Sequence, residues 1–362
     1  MTKKLLTSLL LCASSALNAA NYLTFTAEAD NSSFGIMNFG DNNPYVQYSL
    51  DEGKTWTRLE SGTLIPLIRK GDKALLRGYN PSGFSKHWVQ YTQFVMPKGV
   101  IAASGSVMSL VDGTGESLKI PAPFCFHYLF YDCKSLNKAP ELPATELTDV
   151  CYSDMFRNCT RLKQMPELPA LIMAENCYAR MFEGCSNLIQ TCELPSTTLS
   201  KSCYEGMFWD CTNLVKAPKL PALIMEEKCY ARMFRGCTNL TEAPILPAPH
   251  VMDFCYEEMF QDCPKISKIE VNISEWGIYV GIRTIYEDHE EDEAIFTQST
   301  ENWLKNVAPT GTFICPKELP SEFGENAIPV GWKVIRVKQH TYEDVGPNVR
   351  IDKGGVIFNY GF

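Results

Sequence analysis

Six cysteines recur at one interval. Cys125, Cys151, Cys177, Cys203, Cys229 and Cys255 stand 26 residues apart, and each is followed eight residues later by a second, at Cys133, Cys159, Cys185, Cys211, Cys237 and Cys263. A spacing kept in phase through six copies describes one structural unit built six times and stacked, because a single unit of this length cannot bury its apolar face alone.

The shared template is C-Y-x-x-M-F-x-x-C-T-x-L-x-x-A-P-x-L-P-A. In the second copy it runs through Cys151, Tyr152, Met155, Phe156, Cys159, Thr160, Leu162, Met165, Pro166, Leu168, Pro169 and Ala170. Another apolar residue stands four positions before the first cysteine in five copies, at Leu147, Met173, Leu199, Met225 and Val251. Placed on a helix at about 100° per residue, these positions share one face of roughly 180°. Ser153, Asp154, Arg157 and Asn158 fall between them. This half of the unit reads as an amphipathic helix of two to three turns with cysteine on its buried face. In the other half, Leu162 to Met165 suits a short strand that Pro166 and Pro169 terminate, since proline has no N–H for a ladder. Stacked units would align such strands into a parallel sheet with the helices behind it.

Two helical cysteines eight residues apart lie about 12 Å apart, beyond the ~7 Å that a disulfide tolerates between Cα atoms. The spacing matches no zinc motif, and no histidine column accompanies it. Free, buried thiols acting as small hydrophobes are the preferred reading, with disulfides between neighbouring turns as the alternative.

The segments Phe156-Arg-Asn-Cys159-Thr-Arg-Leu162 and Phe234-Arg-Gly-Cys237-Thr-Asn-Leu240 resemble the BspA-type leucine-rich-repeat proteins of bacterial cell surfaces. The resemblance covers residues 121 to about 273, with a period longer than that family's commonest form. Segments such as Leu142-Pro-Ala-Thr-Glu-Leu147 look like its proline-rich variant, and the third copy departs from the template with Cys192 in a proline position. The expected fold class is α+β: an N-terminal β-sandwich over 21–115, a leucine-rich-repeat α/β solenoid of six 26-residue repeats (short parallel strands plus helices) over 116–275, and a C-terminal capping region over 276–362. The resemblance implies a surface protein, with host-matrix or cell adhesion as one possibility.

The sandwich expectation rests on alternating runs separated by turn residues: Tyr22–Thr26, Tyr45–Ser49, Thr55–Leu59, Ala74–Gly78 and Tyr91–Met96. Within it, Ser49-Leu-Asp51-Glu-Gly53-Lys-Thr55-Trp56 resembles the S-x-D-x-G-x-T-W Asp box of sialidase propellers. That motif is a structural hairpin and occurs here once, so it reads as a turn. Beyond the repeats, Lys268–Ile273 alternates as a strand. The acidic run Glu287–Glu293 lacks the spacing of a calcium loop and reads as a solvated loop. Asn302–Val307 and Gly311–Pro316 imitate one more helix and strand.

At the N-terminus, Lys3 and Lys4 precede the mostly apolar Leu5–Ala13 and the small residues up to Ala20, the pattern of a signal peptide over 1–20. The run is too short to span a bilayer. Cys12 as a lipid anchor is disfavoured by Leu11. The mature chain is expected to be secreted or at a bacterial cell surface, with no transmembrane segment. A net charge of −9 argues against a nucleic-acid partner.

No metalloprotease or serine-hydrolase motif occurs, none of the five histidines recurs in the repeat frame, and Glu257 and Glu258 sit on an expected solvent face. No catalytic, metal or cofactor residues are assigned. The candidate ligand-binding residues lie on the outward strand positions: Lys138, Lys163, Gln164, Gln190, Lys216, Glu242 and Lys268. Side by side they would form a patch suited to a protein or glycan. Trp209 is an exposed aromatic candidate on the opposite face. A non-catalytic binding protein is the leading reading, a structural spacer or assembly protein the alternative, and a glycan-active enzyme the weakest.

Overall fold

The computed structural model describes residues 20–285, 290–338, 349–352 and 355–358. Residues 1–19, including the leader and Cys12, lie outside them, as do 286–289 at the start of the acidic run.

The N-terminal runs form strands: β1 (Leu23–Ala27), β2 (Ser32–Asn38), β3 (Val46–Ser49), β4 (Thr57–Arg58), β5 (Leu64–Leu67), β6 (Lys73–Gly78), β7 (Thr92–Lys98) and β8 (Ile101–Ser104). One sheet has the order β4-β3-β6-β1-β8-β9 and the other β5-β2-β7. Alternate residues of β1, β6 and β7 are buried. Phe25 of the first sheet packs edge-on against Phe34 and Phe94 of the second, with centroids 5.1 and 5.0 Å apart. The first sheet does not stop at residue 115. Its edge strand β9 (Leu136–Lys138) belongs to the first repeat and pairs in parallel with β8.

The repeats contain no helices. Among the described residues the one α-helix is a single turn, α1 (Ser109–Asp112). Each Cys-to-Cys segment is instead a run of tight turns with a four-residue period. Residues one before, three after and seven after the first cysteine take positive φ, as Val150 (59°), Asp154 (54°) and Asn158 (61°) do in the second copy. The left-handed conformation recurs at these positions in every copy, which ends any α-helix within one turn.

The amides then divide into two sets. Those of Met155, Arg157 and Cys159 donate three residues back, to Tyr152, Asp154 and Phe156, at 3.0–3.2 Å. Those of Tyr152, Asp154, Phe156 and Asn158 leave the copy and donate to Cys177, Ala179, Met181 and Glu183 of the next, at 2.7–3.0 Å. Consecutive copies are therefore coils hydrogen-bonded in a register of 25 residues.

Fixed register stacks like on like. Phe94, Phe130, Phe156, Phe182, Phe208, Phe234 and Phe260 form one column with centroids 5.2–5.9 Å apart. A second column runs from Phe126 through Tyr152, Tyr178, Tyr204 and Tyr230 to Tyr256 at 5.7–6.2 Å. Every described cysteine is a free thiol. The second cysteine of each coil donates its S–H to the carbonyl of the column phenylalanine one step back, at 3.0–3.2 Å. The sulfur is thus a small apolar filler with one satisfied donor.

The expected α/β solenoid of helices behind short strands is therefore wrong, for a specific reason. Offsets 0, 1, 4, 5 and 8 lie on one face of a helix, but they also lie on the inner side of successive four-residue turns. The strand half is corrected too. Lys163–Gln164, Ile189–Gln190, Val215–Lys216, Thr241–Glu242 and Ser267–Lys268 are consecutive exposed pairs, whereas a pleated strand alternates. Prolines follow two and five residues after the pair in the second, fourth and fifth copies; in the third Cys192 takes the first proline's place and Pro195 keeps the second, and the sixth has neither. Apart from β9 and β10 (Lys268–Glu270), only single bridges remain on this side of the stack.

Both ends of the stack are closed. Ser85 and Phe94 of the N-terminal region donate to the carbonyls of Cys125 and Leu129, at 2.9 and 2.7 Å, as a preceding coil would. At the other end a hairpin, β11 (Gly277–Ile285) with β12 (Glu290–Gln298), interrupts the period, so the later part of the acidic run is strand rather than loop. A seventh coil follows. Ser299, Glu301, Trp303 and Lys305 accept from Tyr256, Glu258, Phe260 and Asp262 at 2.7–2.9 Å. Asn302 and Asn306 again take positive φ, so this segment is turns and not the helix expected there. β13 (Thr312–Pro316) then bridges β10 and β14 (Lys333–Val337), and β15 (Val349–Asp352) pairs with β16 (Gly355–Phe358).

One prediction separates this fold from a helical one, and a second tests the burial of its thiols. In a helix Asn158→Gly would destabilise and Asn158→Val would be nearly neutral. At a left-handed position the order reverses, so Asn158→Val should cost about 1–2 kcal/mol and Asn158→Gly almost nothing in chemical denaturation. The second concerns pH. Burial pushes the Cys125, Cys229 and Cys263 thiols from 9.0 up to about 12. Their folded values are raised, so the stability they contribute is complete below pH 9.0 and lost as pH climbs towards 12. Each thiol removes about 1.4 kcal/mol per pH unit over that window. Against a typical stability of 5–15 kcal/mol, circular dichroism should show alkaline unfolding near about pH 10–11.

Candidate functional site

Six of the seven candidate residues occupy one column, 13 positions after each first cysteine: Lys138, Gln164, Gln190, Lys216, Glu242 and Lys268. Lys163 precedes Gln164. All seven are exposed. The column is not uniform along its length. Gln164 bridges Gln190 and Lys216 bridges Glu242, with a Lys216–Glu242 ion pair of 3.0 Å between well-exposed groups. Pairs this exposed contribute little stability. No bridge joins Lys138 to Gln164, Gln190 to Lys216, or Glu242 to Lys268.

The backbone shows the same alternation. Ile189 and Gln190 both donate to the Lys163 carbonyl, at 3.0 and 3.2 Å, and Thr241 and Glu242 both donate to that of Val215. The amides of Lys163, Gln164, Val215 and Lys216 have no protein acceptor among the described residues. The stack is closed on this face between coils 2 and 3 and between coils 4 and 5. At the exposed column it is open between coils 1 and 2, 3 and 4, and 5 and 6; coils 3 and 4 join farther on at Thr198 and Ile224, and coils 5 and 6 where the Leu246 amide donates to the Glu270 carbonyl at 3.0 Å.

A cleft fills each open junction. The first, about 380 Å³, lies between Lys138 and Gln164 and is walled by Pro140, Pro143, Pro166 and Pro169. The central one, about 690 Å³, spans Gln190 and Lys216 with Glu167, Glu193, Cys192 and Lys219 around it. The third, about 240 Å³, holds Glu242, Lys268, Glu270 and Pro244. Each mixes ammonium and carboxylate groups. Sequence reasoning reached the column but missed the flanking glutamates and the free amides. The prolines at 140, 166, 218 and 244 each remove a donor on this face, but they stand beside closed and open junctions alike and so did not signal which junction opens.

The opposite, turn-bearing face is committed to structure. Arg157 pairs with Asp154 and Glu183 at 3.1 and 2.7 Å. Arg232 pairs with Glu257 and Glu258 at 2.7 and 2.8 Å, and Arg235 with Glu258 at 2.6 Å. Glu257 and Glu258 are thus partners of arginine, not a free carboxylate pair. Burial raises the Asp154, Glu183 and Glu257 carboxyls above their ordinary values. Trp209 is not a bare aromatic. It is half-buried, with the Arg235 guanidinium 4.9 Å from its ring.

The Asp-box segment is a hairpin turn. Asp51 accepts from the Thr55 amide at 2.9 Å and the Thr55 hydroxyl at 2.7 Å, and the Ser49 hydroxyl donates to it at 2.7 Å. Gly53 takes φ 85°, and the Trp56 indole N–H donates to its carbonyl at 3.0 Å. The polar side-chain groups of Ser49, Asp51, Thr55 and Trp56 are all engaged within their own turn. No group of histidine, cysteine or acidic residues among the described residues can hold a metal ion. No helix there is long and apolar enough to cross a membrane.

Residues 125–263 match the BspA type leucine rich repeat region in six copies. No curated protein and no solved structure matches the chain.

The hydrogen bonds from Thr55 hold the Asp51 carboxyl at about 2, below its ordinary 3.8. A depressed folded value means that the contribution is present above pH 3.8 and lost as pH falls through about 2. Asp51→Ala should lower the melting temperature at pH 7, and the gap from wild type should close towards pH 2.

Proposed function

We propose, from the premise that residues 125–263 form a BspA-type leucine-rich repeat region, that this chain is a non-catalytic surface binding protein. Its repeat face, carrying Lys138, Lys163, Gln164, Gln190, Lys216, Glu242 and Lys268, meets a protein or glycan ligand. The observation that carries the reading is the exposed column itself. The buried columns repeat tyrosine, phenylalanine and cysteine in nearly every coil, while the exposed one reads Lys, Gln, Gln, Lys, Glu, Lys over the same register. A core that holds while its outward column varies presents a surface free to specify a partner. The sequence over 1–20 supports export to the cell exterior, where adhesion is the role that fits such a surface.

Replacing Lys138, Lys163, Lys216 and Lys268 together by glutamate tests it on an array of matrix proteins and glycans. Loss of at least about tenfold in binding is expected, with no loss for Lys201→Glu, whose ammonium pairs with Glu227 at 2.8 Å away from the column. Unchanged binding by the quadruple variant would make the repeat region a spacer.

A further inference from the structure

The open junctions recur at every second coil, and their chemistry recurs with them. We propose that they are three successive subsites for one uncharged, linear, β-linked polysaccharide lying along the stack, each taking one disaccharide unit. The proposal rests on the surface-binding reading and names its ligand.

The chemistry of the clefts selects the class. Each offers donors and acceptors together: Lys138 with Glu141 and Glu167 in the first, Lys216 and Lys219 with Glu167 and Glu193 in the second, Lys268 with Glu242 and Glu270 in the third. The free amides of Lys163, Gln164, Val215 and Lys216 add fixed donors at the first two. A hydroxyl both donates and accepts, so a polyol satisfies such a set. Carboxylates in every cleft repel a polyanion. Proline rings in the walls supply apolar surface for the C–H faces of sugar rings.

Spacing then separates sugars from peptides. Adjacent rings of the phenylalanine column are 5.4–5.9 Å apart, so two coils advance about 11 Å. A polyproline II peptide repeats every ~9.3 Å and drifts out of step by the third cleft. An extended peptide reaches ~10 Å at its third residue, but that side chain faces the other way. An extended β-linked chain whose rings alternate in orientation presents the same face once per disaccharide, the symmetry of clefts at alternate junctions.

The test is calorimetric titration of the full chain with β-1,4-linked glucan, mannan and xylan oligosaccharides of two, four and six sugars. One of the three series should bind, gaining about tenfold in affinity from two to four sugars and again from four to six, as linked subsites predict. Binding should be insensitive to salt. The double variant Gln190→Ala, Lys216→Ala should weaken the hexasaccharide about tenfold, with an unaltered melting temperature showing that the stack is intact. Affinity independent of length overturns the proposal, as does silence from all three series. Binding of a proline-rich peptide or of heparin in place of the sugars overturns it equally. If the sugars are silent while the quadruple lysine variant still loses array binding, only the subsites fall. If neither assay responds, the surface-binding reading falls with them.

Discussion

The structure depends on one hydrogen bond, repeated: an amide of one coil donating to the carbonyl 25 residues ahead. It exists because every fourth residue turns left-handed and swings alternate N–H groups out of their own coil. Five such bonds tie the turn segment of the second coil to the third, each worth about 0.5–1.5 kcal/mol net. Their larger effect is on register. With the backbone locked, phenylalanine can meet only phenylalanine, tyrosine only tyrosine, and each second cysteine only the carbonyl one step back. The aromatic columns and the thiol contacts are consequences of that lock.

A ladder of this kind has two ends with unspent groups. The first coil has carbonyls that expect donors, and Ser85 and Phe94 provide them, with Phe94 also heading the phenylalanine column. The last coil has amides that expect acceptors, which residues 299–305 provide without cysteine, tyrosine or methionine. There Trp303, fully buried, meets Tyr256 with centroids 6.1 Å apart and closes the tyrosine column. The ends need matching backbone geometry and bulk, not the repeat's own residues, which is why a seventh coil can form in a sequence with only six cysteine pairs.

The repeat, its length and its buried residues were legible in the sequence, because cysteine, tyrosine and phenylalanine hold fixed columns. The conformation inside each copy was not, since helix and turn succession bury the same offsets. One column did distinguish them. Position seven after the first cysteine reads Asp132, Asn158, Gly184, Asp210, Gly236 and Asp262, the residue types that tolerate positive φ. The Asp-box turn was legible because all the hydrogen-bond partners that close it lie within eight residues. The open and closed junctions were not, because neighbouring copies carry nearly the same residues at closed and open junctions alike. That difference arises only between coils, from which amides find acceptors.

The two sides of the stack therefore stand in opposite states. On the turn side, most backbone donors and the second thiol of each coil are satisfied within the protein and the arginines pair with carboxylates, which leaves little for a ligand and makes that side the source of rigidity. On the other side prolines have withdrawn donors from the ladder, the exposed column is bridged at alternate junctions, and the amides of Val215 and Lys216 find no protein acceptor. A group held rigid and left unsatisfied binds at lower cost than one that must be ordered or stripped from an internal partner. The unbridged junctions are thus what leaves the face available. Restoring regular strands there would stabilise the stack and remove the surface it presents.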